Sequence, residues 1–382
     1  MAGGRTRNRI TRSIQGKIIL VDLYRLGNVR RQCVYPLPGI PYPDIRIRRN
    51  KLRTGSRLNE YKVLLRKILN ITAAAVRVGL NLAAVVVVVF VLVVSLKRLQ
   101  SPDSNNRRYR IIDGLWPTDV PVAEPIAYCD DRAIAETHFY VMGKAEGQAL
   151  YDGETVSAWL TESARRRAGE HFVDVLAALH SIDPADVGLA ELGRPDGYVA
   201  RQLKTWYGSW NASIPYAEHD EERVHELHAL LVDHIPEQGP GRIVHGDYGP
   251  HNSLFSRDGE VLAVLDWEIA TLGDPLADFA YSINAWVEPG DAGVYGADPP
   301  TALPGFPSRD DLIVRYAAAT GADLSDLDYY RAFNSFKTAC ILHGVYARYR
   351  AGQKSTEGVD LESLFARIGL SLDAAQERAA QI

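Results

Sequence analysis

Apolar positions follow three regimes along this chain. Residues 1–77 show scattered hydrophobic side chains with little helical period. Residues 78–96 are nineteen positions without a charge, thirteen of them (82–94) uninterrupted and apolar, with Arg77 before and Lys97 and Arg98 after. From about residue 97 the pattern is that of a folded domain. Helical spacing predicts helices over 156–181, where His171, Val175 and Ala178 sit among apolar neighbours, over 222–234 and over 326–351. A further helix over 198–210 carries Tyr198, Trp206 and Trp210, which either line a cleft or pack a core. Short apolar runs predict strands at 139–142 and 242–244, and two more at 253–256 and 261–265 flank Asp258-Gly259, a strong hairpin signal.

The middle regime is long enough for a membrane span, which needs about 18 apolar residues. It begins too far into the chain for a secretory signal peptide. A buried strand is the alternative, favoured by the valines, but strands usually run about three to ten residues. A span is therefore expected, with a single-pass anchor and the remaining chain on the cytoplasmic side. Basic residues within twenty positions on either side balance, so they do not set the orientation.

Charge separates the same regions. Residues 1–77 hold 18 Lys or Arg against Asp22, Asp44 and Glu60, a balance of +15, which leaves −19 for the other 305 residues to reach the net −4. With PLPGIPYPD at 36–44, this basic part is expected to be poorly ordered. Such an arm can bind anionic lipid or RNA, or remain a solvated tail. A pI near 6.2 gives no reason to expect a specific nucleic acid partner. Cys33, Cys129 and Cys340 are widely spaced without a CxxC pair, which predicts reduced thiols and no structural zinc. His225, His228 and His234 are expected on a solvated helix face rather than on a metal.

The chemistry concentrates in one place. Residues 245–252 read HGDYGPHN, and Asp266 opens LDWE fourteen positions after Asn252. Folding the predicted hairpin brings Asn252 and Asp266 together at its open end, and Asp247 enters that end from the loop after 242–244. An Asp, an Asn five residues on and a later Asp is the spacing with which phosphoryl-transfer sites orient a hydroxyl and bind divalent metal. Oxygen ligands on loops suit magnesium. Asp, Asn and His beside Gly and Pro are also ordinary turn residues, so HGD alone carries little.

These motifs resemble the aminoglycoside phosphotransferase and choline kinase superfamily, in which HGDxxxxN is the catalytic loop and a following DxE or DxD supplies a metal ligand. FYVMGKAEG at 139–147 is similar to the family's hinge, LAALHSIDP at 176–184 to a helix end, and GRPDGYVARQL at 193–203 to an inserted segment. LGDPLADFAY at 272–281, GFPSRDDLIVRY at 305–316 and FKTACILHGVYARYRAGQ at 336–353 are similar to the branch associated with acyl-CoA dehydrogenases. The likeness runs from about Arg107 to the C-terminus. It implies an α+β, protein-kinase-like two-lobe fold with a truncated or divergent N-lobe and a mainly helical C-lobe.

The same resemblance implies ATP and Mg2+ as cofactors and a small-molecule hydroxyl as acceptor. Asp247 would orient or deprotonate the hydroxyl, His245 would brace the loop, and Asn252 and Asp266 would hold magnesium. Backbone groups around Met142, Gly143, Lys144 and Glu146 would meet the adenine. Asp274 and Asp278 would support the loop, and Glu268 is more ordinarily a solvated residue.

The phosphate-clamping half is harder to find. TGSRLNEY at 54–61 only loosely resembles the family's phosphate loop, Lys97 is a weak strand lysine, and Arg108 stands where an acidic partner is expected. The chain accordingly divides into a basic region (1–77), an apolar segment (78–96), a partial N-lobe and hinge (97–147) and a C-lobe (148–382). Three explanations stay open: a membrane-tethered enzyme with a divergent nucleotide lobe, a catalytically inactive nucleotide or ligand binder, or a foreign first hundred residues.

Overall fold

Two units divide the chain: Met1–Tyr109 with Glu124–Lys144, and Arg110–Ala123 with Ala145–Ile382. The computed structural model describes residues 102–131, 138–291, 293–296 and 298–382 of them. The segment 78–96, Lys97, the loop 54–61 and Cys33 lie outside the described residues. Among the described residues, no helix is long and apolar enough to cross a membrane.

In the first unit, strands β1 (Pro125–Cys129) and β2 (Phe139–Met142) pair antiparallel with Cys129 opposite Phe139. Helix α1 (Pro102–Leu115) begins here, and its Tyr109 ring lies 5.6 Å from Tyr128 and 6.2 Å from Tyr140. The Asn105 amide donates to the His138 carbonyl at 2.9 Å. Arg108 is buried beside Asn105, whose side-chain oxygen it meets at 3.4 Å.

The second unit is mainly helical. The stretch 156–181 does not form one helix but two, α2 (Gly153–Trp159) and α3 (Glu162–Ser181). Side-chain oxygens impose the break: Asp152 accepts from the Thr155 amide and Thr161 from the Ala164 amide, so each helix has its own N-cap while Leu160 is extended. Helix α4 (Tyr198–Ala217) runs on past Trp210, with Pro215 in its last turn, and α5 (Glu222–Asp233) follows.

Helices α6 (Pro275–Ala285), α7 (Arg309–Thr320), α8 (Leu327–Arg350) and α9 (Leu361–Ala379) complete the unit. Helix α8 packs against α4, α6 and α9, while α3 packs against α7. Because α8 is surrounded, it buries side chains on nearly every face, Tyr330, Phe333, Phe336, Cys340 and His343 among them. Ring stacking fixes the layers, with Trp210 on His343 and Phe279 on Tyr316, each at 3.8 Å.

The α5 histidines His225 and His228 are half-exposed and each also meets a ring of α4. His228 stacks on Tyr207 of α4 at 3.8 Å, and His225 Nδ1 lies 3.0 Å from the Tyr207 hydroxyl; only His234 is exposed. The α4 tyrosine supplies an aromatic face that periodicity on α5 alone cannot reveal. Cys129 and Cys340 are both buried.

Two small antiparallel sheets carry the loops of interest. Strand β3 (Arg242–Val244) pairs with β6 (Thr271–Gly273), and β4 (Ser253–Phe255) with β5 (Val261–Val264). The β4–β5 turn uses Gly259 at φ +84°, and a Cβ there would stand 2.3 Å from the Ala164 carbonyl oxygen of α3. Glycine is thus required twice, for the left-handed backbone and for close approach to α3. His171 of α3 adds a hydrogen bond from the Val261 amide to its Nδ1 at 2.8 Å.

Candidate functional site

Strand β3 ends at Val244 and releases the loop His245-Gly246-Asp247, which is clamped from several sides. The His245 and Gly246 amides donate to the two carboxylate oxygens of Asp278, at 2.6 and 2.8 Å. Gly246 has φ +83°, a conformation glycine adopts without strain. His245 Nδ1 accepts from the Asp247 amide at 3.2 Å, so its Nε2 carries the proton and donates to the Leu265 carbonyl at 2.8 Å. One buried imidazole therefore ties the HGD loop to the end of β5, beside Asp266.

The hairpin assembles the rest as its register dictates. Ser253 pairs with Val264, and the Leu265 amide donates to the Asn252 carbonyl at 2.7 Å, which holds Asn252 and Asp266 at the same open end. Asn252 Nδ2 donates to the Asp247 carboxylate at 3.1 Å and to its carbonyl at 2.9 Å. Asp266 takes φ +60°, which Asp tolerates better than most residues.

Asp247 keeps a third of its side chain exposed. Burial pushes its carboxyl up, but the hydrogen bond and charge of His251 and the hydroxyl of Tyr281 outweigh this and hold it at about 2. His251 Nε2 lies 3.6 Å from Asp247 Oδ1, and the Tyr281 hydroxyl donates to the same oxygen. The group is therefore a fixed, ionised acceptor of hydrogen bonds.

Asp274 and Asp278 spend their oxygens on the protein. Asp274 caps α6 through the Leu276 amide at 3.0 Å and accepts from the Tyr330 hydroxyl at 2.7 Å; burial raises its pKa. Asp278 also meets His180 Nε2 at 3.3 Å, and His180 Nδ1 meets the Tyr316 hydroxyl at 2.7 Å. Burial pushes the Asp278 carboxyl up, yet His180 and the loop amides bring it below the ordinary value. Glu268 lies half-buried in the turn after β5.

The hinge residues fall where the chain passes from one unit to the other, between Lys144 and Ala145. Met142 is buried at the end of β2, the Gly143 amide donates to the Glu124 carbonyl at 2.8 Å, and Lys144 and Glu146 are exposed. Of the three α4 aromatics singled out in the sequence, Tyr198 and Trp210 are core residues and Trp206 keeps an accessible face.

Three residues near Asp247 escaped the sequence reading, each with a faint signal. His251 stands four positions after Asp247, Tyr281 three after Asp278, and Lys337 follows Phe336 just before the apolar run 339–342.

Residues 84–331 match the phosphotransferase enzyme family, and the chain belongs to that family. The match starts inside the apolar segment and so reaches further toward the N-terminus than the likeness from Arg107 onward. Among curated proteins, chicken acyl-CoA dehydrogenase family member 11 is 34% identical over 259 residues, covering 66% of this chain and 33% of its own. Mouse acyl-CoA dehydrogenase family member 10 is 34% identical over 266 residues, covering 68% and 24%. The chain thus spans a third or less of the length of these relatives. A solved structure from Ralstonia eutropha, provisionally assigned as an aminoglycoside phosphotransferase, is 30% identical with a TM-score of 0.65, covering 74% of this chain and 84% of that one. The architecture is accordingly the kinase-like α+β fold of these phosphotransferases.

Proposed function

We propose that this chain transfers the γ-phosphoryl group of ATP to a hydroxyl of a small molecule in the presence of magnesium. The observation that carries this is the convergence of Asp247, Asn252 and Asp266 at one hairpin end, with Asp247 ionised, fixed and partly exposed. In phosphoryl transfer through a loose transition state, catalysis is mostly positioning and charge stabilisation. A carboxylate held near 2 is a weak base, so Asp247 first orients the acceptor hydroxyl and takes its proton late.

Magnesium fits the donor set, which is all oxygen: the Asn252 amide oxygen and the Asp266 carboxylate would hold it, with phosphates and water completing the shell. Among the described residues no three His, Cys, Asp or Glu side chains converge into a closed metal cage. Bound there, the metal would neutralise charge on the phosphates. Backbone groups of Met142, Gly143, Lys144 and Glu146 would receive the adenine. The acyl-CoA dehydrogenase names belong to relatives several times longer than the matched region, so their activity is not transferred here.

The test is transfer of labelled phosphate from ATP to a panel of small hydroxyl compounds, with and without magnesium. Asp247→Ala should abolish transfer while nucleotide affinity, measured by titration, changes less than about twofold. A wild-type chain that turns over no ATP on any acceptor would refute the assignment.

A further inference from the structure

Lys337 is the unexplained charge near the site. It lies in the middle of α8, is buried, and among the described residues forms no salt bridge. Its ammonium donates to the Gly246 carbonyl at 3.1 Å and lies 4.8 Å from the centre of the Tyr281 ring and 5.9 Å from that of Trp206. Burying an ammonium without a carboxylate in contact is costly, and a methionine would fill the same space without that cost. Desolvation lowers the Lys337 pKa, against which the fields of Asp278 and Asp247 favour the charged form.

We propose that Lys337 is a positioning residue for Asp247, acting through Gly246 and through Tyr281. Gly246 is the residue before Asp247, and both of its peptide groups are tied down. Asp278 takes its N–H at 2.8 Å and Lys337 its carbonyl. Rotation about the left-handed Gly246 is what would swing Asp247 away, and an α8 cation together with an α6 anion prevents it. Tyr281 provides the second route, since its ring lies under the ammonium while its hydroxyl donates to Asp247.

The proposal rests on the phosphotransferase function above. The experiment uses the full chain, with magnesium-ATP as substrate and water as the acceptor, and compares wild type with Lys337→Met, Lys337→Gln, Lys337→Arg, Tyr281→Phe and the Lys337→Met/Tyr281→Phe double variant. Lys337→Met should lower kcat at least about tenfold with the KM for ATP within about twofold, and Lys337→Arg should recover most of the loss. Lys337→Gln, which keeps a donor but no charge, should fall between them. The double variant should lose less than the product of the single effects, because both side chains act on Asp247.

Turnover by Lys337→Met within about twofold of wild type, or independent effects in the double variant, overturns the positioning role alone. A wild type without ATP turnover on water and on every compound of the hydroxyl panel overturns it together with the function. Circular dichroism shows which variants fold, and if neither the Met nor the Gln variant does, Lys337 serves stability and the proposal falls.

Discussion

Replacing Asp278 by Asn changes one oxygen into an NH2 group, and the structure shows where the damage lands. Two loop amides, His245 and Gly246, each donate to a separate carboxylate oxygen. An Asn side chain can accept only one of them. The other N–H loses a charge-assisted bond worth about 1.5–3 kcal/mol and faces a donor, with desolvation of about 1–3 kcal/mol uncompensated, while loss of a buried charge returns part of this. A net destabilisation of about 3 kcal/mol follows, which for a domain of this size lowers Tm by roughly 6–12 °C. Thermal and urea denaturation followed by circular dichroism measure it, with an unchanged m-value marking a native-state effect. The pH dependence has a defined sign. The folded Asp278 pKa lies below its ordinary 3.8, so its stabilisation is complete above that value and is lost as pH falls through the folded value. The gap between wild type and Asp278→Asn should therefore narrow in strong acid. A neutral-pH difference under about 0.5 kcal/mol, or a gap that widens in acid, would show that the clamp does not carry the loop.

Other perturbations probe neighbouring parts of the site. Gly259→Ala must both leave a left-handed backbone and push a methyl against Ala164, so it should cost about 2–4 kcal/mol in urea denaturation and lower activity by tilting the hairpin. His251→Ala should raise the Asp247 pKa from about 2, moving the acid limb of the kcat/KM profile upward, and Tyr281→Phe should move it less, in keeping with the order of their effects. Equal or downward shifts would contradict the electrostatics. Phosphoryl transfer should stop on chelation of magnesium with EDTA and return when magnesium is added back.

Legibility in the sequence followed the range of the interactions. The β4–β5 hairpin could be placed because Asp258-Gly259 and two short apolar runs are local signals, and from it the meeting of Asn252 with Asp266 followed by counting. The break at Leu160 was missed because two side-chain caps, at Asp152 and Thr161, override a continuous apolar stripe. Asp278 was recognisable as support for the loop, but its two amide partners lie more than thirty residues away and only the β3–β6 pairing brings them there. Lys337 and Tyr281 depend on how α8 lies against α6, which no local pattern encodes. The ring contacts of His225 and His228 were missed for the same reason, since Tyr207 arrives from another helix.

The chain of contacts from Tyr316 through His180 to Asp278 and on to the loop amides has a consequence for how damage would be distributed. A survey of random substitutions scored for lost activity would not be confined to a sphere centred on Asp247. It would also extend along a track through α3 to α7, where a change as small as Tyr316→Phe removes one hydroxyl and leaves His180 held by Asp278 alone. Drift on those two helices is therefore one route by which the loop would lose its support while HGDYGPHN stays intact.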